Sequence, residues 1–443
     1  MDKQNIIDAI KLVLEKELNN QKLRDFRPAA RLNEDLYLDS VQIMQLLVHI
    51  ELTLGIDIPD AALSNEDVAT VSSLADFLLS QSNGRTNETS NATNEVTEVQ
   101  EEFEDIKVHC FVSCLCESIK ADPRVDHRPF YFGVWDAEVL ISNDHHLAYH
   151  SDDINHDEFR AWYKKIYGVS VTPWYCETLS KQENLHTLQT LLAQKSESEN
   201  VMVMLDMYLL PERENKFNQN PFPHYVMLEE TREPEIWFMH DPDFRWEGTQ
   251  NKSQVIAAIE SKAVAGGYIF DSSKITPSKN SVIADYFLTC FNANHNPMTD
   301  KVRDVVHAHI DTKNSATDIT QLGEALKQLP VLAIRKYAYE HGFAFFWRDI
   351  GFPEEEFEYW CDVIEALVSN YKNIHFRAMK LASEQPSPAH KKALIEEILL
   401  LLDQQDEREF SIKKHLFEVF SQWSSLHQIN LHGTQKRVEE VAL

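Results

Sequence analysis

Nothing in this chain has the length or apolarity to cross a membrane, and its N-terminus lacks the charged-then-apolar pattern of a secretory signal. Those two absences predict a cytoplasmic protein with no membrane contact. Positive charge is scarce: 42 Lys and Arg stand against 71 Asp and Glu, a formal net charge of −29. Nucleic acid needs a basic footprint, so it is excluded as a partner. The acidic balance suits a cationic partner or substrate, although solubility alone accounts for most acidic balances. Cysteines are few and irregularly spaced (Cys110, Cys114, Cys116, Cys176, Cys290 and Cys361), which reads as reduced thiols rather than a disulfide framework. Neither a P-loop nor a GxGxxG fingerprint occurs, and no internal repeat is visible.

What is present falls into blocks, and 443 residues leave room for two or three domains. In the first 82 residues apolar positions recur near helical spacing: Ile6, Ile7, Ile10, Val13, Leu14 and Leu18, then Ile43, Leu46, Leu47, Ile50 and Leu54. Gly55 stops that second helix, Ile56-Asp57-Ile58-Pro59 leads into a short third segment, and Val68, Val71, Leu74 and Phe77-Leu78-Leu79 close a four-helix bundle. Residues 83–105 are polar and then acidic, and read as a disordered tether. Its reach would be roughly 25–30 Å, at about 5–6 Å times the square root of the residue count. Residues 106–275 mix turns with short apolar runs such as Val201-Met202-Val203-Met204-Leu205, as buried strands of an α+β domain do. From 276 to 443 the pattern is mostly helical.

Within the first block, Ser40 stands in Leu36-Tyr37-Leu38-Asp39-Ser40-Val41-Gln42-Ile43-Met44. By itself a serine before an apolar helix reads as an N-cap. With the flanking pattern, residues 1–82 resemble acyl carrier proteins, and Ser40 matches the serine that carries 4′-phosphopantetheine; Val41, where that family has Leu or Met, is a departure. The resemblance implies a covalent phosphopantetheine arm, a separate phosphopantetheinyl transferase, and an acid-adenylating ligase that loads the arm. Helix two is expected to expose Gln42, Gln45, His49 and Glu51, a face less acidic than in fatty-acid carriers that looks more like carriers of aryl or amino acids. A tether of the expected length would hold the carrier at about millimolar effective concentration near its own chain.

Three places in the second block read together. His109-Cys110-Phe111-Val112-Ser113-Cys114-Leu115 looks like a loop-to-helix start, His224 opens the strand Pro223-His224-Tyr225-Val226, and Asp241 ends Phe238-Met239-His240-Asp241. A helix N-terminus and an imidazole favour a thiolate, and a carboxylate orients the imidazole. The order is that of a papain-like thiol site. With Asp206-Met207-Tyr208-Leu209-Leu210-Pro211, the stretch resembles the butirosin-type acyltransferase family, which moves an acyl group from a carrier to an amine. The match makes Cys110 the nucleophile, with His224 and Asp241 beside it. Core packing is the ordinary alternative for each cysteine, and a zinc site on His109, Cys110, Cys114 and Cys116 lacks the usual spacing. His145, His146, His150 and His156 read as a solvated loop.

The last block interleaves aromatics with charges in Arg335-Lys336-Tyr337-Ala338-Tyr339-Glu340-His341-Gly342-Phe343-Ala344-Phe345-Phe346-Trp347-Arg348-Asp349. A polyammonium ligand would use such a mixture, with Glu340 and Asp349 as carboxylates and Tyr337 and Trp347 as aromatic faces. An amphipathic helix with aromatics inside and charges outside is the plainer account. The whole arrangement resembles the petrobactin pathway, in which an aryl carrier hands 3,4-dihydroxybenzoate to an enzyme that joins it to a polyamine. The expected activity is therefore transfer of a carrier-bound acyl group to an amine in siderophore or other secondary metabolism. An editing thioesterase, or a non-catalytic carrier with a docking scaffold, are the rival expectations.

Overall fold

The run Val201–Leu205 forms a strand buried on both faces, which is why it reads as unbroken apolar sequence. The computed structural model describes residues 3–18, 20, 22–33, 35–36, 38, 40–54, 69–82, 109–150, 156–210, 213, 219–311, 317–383 and 387–429. The expected third carrier segment between Gly55 and Val68, the tether at 83–105, Asp39 and Pro211 lie outside these residues.

The N-terminal unit is helical: α1 (Lys3–Lys16), α2 (Ser40–Leu54) and α3 (Val71–Ser82). Their apolar stripes meet in a separate core that includes Ile6, Ile10, Leu14, Leu46, Ile50, Leu74 and Leu78.

The middle region contains α4 (Cys110–Lys120), a hairpin of β1 (Leu140–Ile141) and β2 (Leu147–Ala148), α5 (Asp157–Tyr167), β3 (Thr172–Pro173) and α6 (Lys181–Gln194). It continues with β4 (Glu199–Asp206), β5 (Pro223–Glu230), β6 (Ile236–Asp241), β7 (Trp246–Asn251), α7 (Lys252–Glu260) and β8 (Gly267–Asp271). Six strands form one sheet in the order β3-β8-β4-β5-β6-β7, with every pair antiparallel. Side chains alternate across it. Val201, Val203, Leu205, Val226 and Leu228 pack with Leu188 of α6 and Val255 of α7. Met202, Met204, Tyr225 and Met227 face the core that holds α4.

The C-terminal region is helical: α8 (Asn280–Cys290), α9 (Pro297–Ile310), α10 (Leu322–Ala325), α11 (Leu329–Ala333), α12 (Ala338–Ile350), α13 (Glu354–Ala382) and α14 (Pro388–Leu426). Among the described residues its apolar side chains share one core with the middle region. One apolar cluster runs from Phe111 of α4 through Phe132 and Trp135 to Phe346 of α12 and Trp423 of α14. In its midst lies a group of buried charges. Lys336 Nζ donates to Glu409 Oε1 at 2.5 Å and to the Trp135 carbonyl at 2.6 Å, and Lys413 Nζ donates to Asp136 Oδ2 at 2.8 Å. Tyr339 donates its hydroxyl to the same Glu409 oxygen at 2.8 Å. The expectation of charges on the outside of this segment therefore fails at Lys336, because four ionised groups from three distant stretches neutralise one another.

The carrier unit touches the tail. Glu51 of α2, expected on an exposed face, lies with its Oε2 2.9 Å from Lys380 Nζ of α13, and the ammonium also sits 4.6 Å above the Phe376 ring.

Candidate active site

The N-terminus of α4 is placed by the turn that follows β6. Asp243 Oδ1 accepts the His109 backbone N–H at 3.1 Å and the Ser113 hydroxyl at 2.9 Å, so the turn grips the first residues of the helix. Antiparallel pairing of β5 with β6 sets the start of one beside the end of the other. That brings Cys110, His224 and Asp241 together.

His224 Nε2 lies 2.8 Å from Asp241 Oδ1, and both side chains are almost wholly buried. Nδ1 is also buried, with no oxygen or nitrogen partner among the described residues. The Cys110 thiol is the neighbouring group that, with Asp241, favours a proton on that imidazole. Burial works to lower the His224 pKa, but Asp241 and Cys110 together hold it well above 6.5. Burial likewise works to raise Asp241, yet His224 and Arg213 keep its carboxyl below the usual range. Arg213 donates to Asp241 Oδ2 at 2.6 Å and stacks 3.7 Å above the Trp246 ring. An acid fixed by two cations on its two oxygens can orient the imidazole and stabilise its protonated form.

The other two cysteines of α4 do different work. Cys114 Sγ points to the Tyr225 carbonyl at 3.5 Å, and burial pushes its thiol well above 9. Cys116 Sγ lies 3.8 Å from the His127 carbonyl. No group of His, Cys, Asp or Glu able to hold a metal occurs among the described residues. Asp206, quoted in the sequence as part of a motif, accepts the Phe222 N–H at 2.9 Å and the Ser261 hydroxyl at 3.0 Å. It thereby fixes the chain two residues before His224.

The residues expected to bind an amine are scattered along α12 and the turn before it. Glu340 is half-buried beside Glu365, and burial with that repulsion pushes its carboxyl up to about 8. Tyr337 donates its hydroxyl to Glu365. Trp347 is buried and stacks 4.9 Å from the Phe343 ring. Asp349 Oδ2 accepts from Trp423 Nε1 at 3.0 Å and pairs with His427 Nε2 at 2.9 Å. The reading of His156 as part of a solvated loop is corrected: it is buried, 4.1 Å from the Phe111 ring and 5.5 Å from that of Tyr225.

Because Glu340 keeps its proton in the fold up to about pH 8 and the unfolded carboxyl loses it near 4.5, its contribution is greatest below 4.5 and falls away between those values. Glu340→Gln should therefore stabilise the protein at pH 8 by about 1–3 kcal/mol, with no gain at pH 4.5. Thermal unfolding midpoints at the two pH values would check this.

Sequence reasoning missed Arg213, Tyr149 and Arg335 as members of this neighbourhood. Tyr149 Oη is 3.6 Å from Cys110 Sγ.

Comparison with known proteins assigns the chain. The phosphopantetheine attachment site family matches residues 8–78, the DUF6005 N-terminal domain family residues 105–275, and the DUF6005 C-terminal domain family residues 281–437. Petrobactin synthase of Bacillus anthracis is 41% identical over 321 residues, covering 72% of this chain and 96% of that protein. The chain belongs to the petrobactin synthase family. The acyl carrier protein AsbD of Bacillus anthracis is 30% identical over 78 residues, 18% of this chain and 86% of that protein. This petrobactin synthase relative thus carries its own carrier domain and takes 4′-phosphopantetheine as a covalent cofactor. Its organisation is a helical carrier, a middle region with sheets, and a helical tail. A carrier domain requires a phosphopantetheinyl transferase to charge it. No described helix is long and apolar enough to cross a membrane.

Proposed function

We propose that this chain transfers an acyl or aryl group from its own carrier thioester to an amine, forming an amide in siderophore biosynthesis, at a papain-like site of Cys110, His224 and Asp241. The observation that carries the proposal is the His224 imidazole set between Asp241 and the thiol at the start of α4, in a chain with its own phosphopantetheine domain. The likeness to petrobactin synthase supports the class of reaction.

Ser40 is the attachment residue in this reading. It is the first residue of α2, where the helix N-terminus favours a phosphate group. The arm, when present, supplies a thiol that presents the acyl group as a thioester. The remaining chemistry is done by side chains. Cys110 is the nucleophile toward the acyl carbonyl, its proton held on His224 Nδ1, and Asp241 and Arg213 keep the imidazole in place and protonated. An amine arriving later gives up its proton to the same nitrogen as it displaces Cys110. In this reading residues 106–275 act as a papain-like domain. The paired carboxylates Glu340 and Glu365, with Tyr337, suit a cationic amine, whose charge would relieve their repulsion. Trp347 and Asp349 serve that purpose less directly, since both are engaged with core partners. An acid-adenylating ligase would load the arm.

The test is intact-protein mass spectrometry of the phosphopantetheinylated chain, loaded with an aryl thioester and given di- and polyamines. Wild type should unload with amide appearing only when amine is added, while Cys110→Ala stays loaded and Ser40→Ala never loads. Unloading without amine would make the protein a thioesterase, and equal turnover by Cys110→Ala would reduce residues 109–429 to a docking scaffold.

A further inference from the structure

Arg335 is out of place for a core residue. It is 4% exposed, and among the described residues no carboxylate acts on its charge. One guanidinium nitrogen donates to the Glu138 carbonyl at 3.0 Å, while Nε is buried with no acceptor. A buried cation without a counter-charge is costly unless an anion comes to it. What lies nearby is the thiol site. The guanidinium carbon is 5.8 Å from the centre of the Tyr149 ring, and its charge acts on Cys110, Tyr149 and His109. Tyr149 stands between them with its hydroxyl 3.6 Å from Cys110 Sγ, and Gln328 accepts the Tyr149 backbone N–H. The backbone N–H on the near side of the helix start, that of His109, is already given to Asp243. A side-chain donor would therefore add to the N–H groups left at the helix start where a negative oxygen forms.

We propose that Tyr149 and Arg335 form the oxyanion-binding corner of this site. Tyr149 is the catalytic donor and Arg335 a positioning residue that holds the phenol and supplies fixed positive charge behind it. This rests on the reading of Cys110 as nucleophile. When Cys110 Sγ bonds to the carbonyl carbon of a thioester, the carbonyl π pair moves to oxygen. That oxygen lies two bonds from Sγ, within reach of the Tyr149 O–H, and the free N–H groups at the start of α4 can add a second donor. On collapse the C=O bond re-forms and the C–S bond to the leaving thiolate breaks. The leaving sulfur takes the proton that His224 received from Cys110. Burial keeps the Tyr149 hydroxyl protonated well above pH 10, so it stays a donor throughout the working range.

Two rates measured on the full, loaded chain test the corner: single-turnover transfer to an amine, and alkylation of Cys110 by iodoacetamide, a reaction that forms no oxyanion. Tyr149→Phe should slow transfer about 10²–10³-fold and leave alkylation within a factor of about two. Arg335→Gln should slow transfer too, and Arg335→Lys should recover most of it. Unchanged transfer in Tyr149→Phe, beside a dead Cys110→Ala, overturns the corner alone. Equal loss of transfer and alkylation makes Tyr149 a partner of the thiol and also overturns it. Full activity in Cys110→Ala removes the nucleophile reading and the corner with it.

Discussion

Replacing Asp241 by Asn should lower amide formation about 10³–10⁴-fold, the scale seen when the acid of a catalytic triad loses its charge but keeps its shape. Two losses combine. The imidazole loses the group that fixes its tautomer through the 2.8 Å contact to Nε2. It also loses the largest influence holding its proton, so that burial, which lowers the pKa, prevails. In wild type, stability from the raised His224 pKa is full below about 6.5 and disappears as pH rises through the higher folded value. Asp241→Asn should therefore move the alkaline limb of the pH–rate profile to lower pH and flatten that decline in stability. Arg213 adds a complication, since it would be left buried without its carboxylate. Circular dichroism and the iodoacetamide rate distinguish a folded but misaligned site from an unfolded one. A normal pH profile in a folded Asp241→Asn protein would rule out the role given to this acid.

Lys336→Met should cost about 3–5 kcal/mol, because it removes one partner of a fully buried ion pair and leaves Glu409 and Asp136 sharing Lys413 alone. At about 2–4 °C per kcal/mol for a unit of this size, the thermal midpoint should fall by roughly 10 °C. The lost Lys336 contact to the Trp135 carbonyl adds an unsatisfied acceptor. Lys336→Met with Glu409→Leu removes one charge of each sign and should recover much of the loss, since well-packed apolar replacements of buried pairs are often neutral. Lys336→Met unfolding like wild type would show that Lys413 alone satisfies both acids.

How far the sequence spoke depended on how local each feature was. The placement of Cys110, His224 and Asp241 was legible because each sits at the end of an element with a sharp pattern: a helix start, a strand start and a strand end. The buried strand at Val201–Leu205 was legible for the same reason. Arg213 was not, since only the tertiary fold brings it onto Asp241 and Trp246. Tyr149 and His156 were hidden in a stretch rich in His, Asp and Asn, whose polarity suggests solvent. There the aromatic rings of Phe111 and Tyr225 cover His156. In the tail, composition showed aromatics mixed with charge but could not say which charges turn inward. Lys336 and Arg335 do so for different reasons, one meeting Glu409 and Asp136, the other meeting no acid among the described residues.

The family boundary near residue 280 is not the boundary of the proposed site. Gln328 and Arg335 lie beyond it, yet they fasten and back Tyr149, whose hydroxyl touches the Cys110 thiol. A protein cut after residue 275 would lose that wall of the site and much of the core around α4. Grafting the tail of one family member onto the middle region of another would transplant part of the proposed site along with it. The two halves must therefore change in step, and a substitution at Tyr149 would be answered across the boundary rather than beside it.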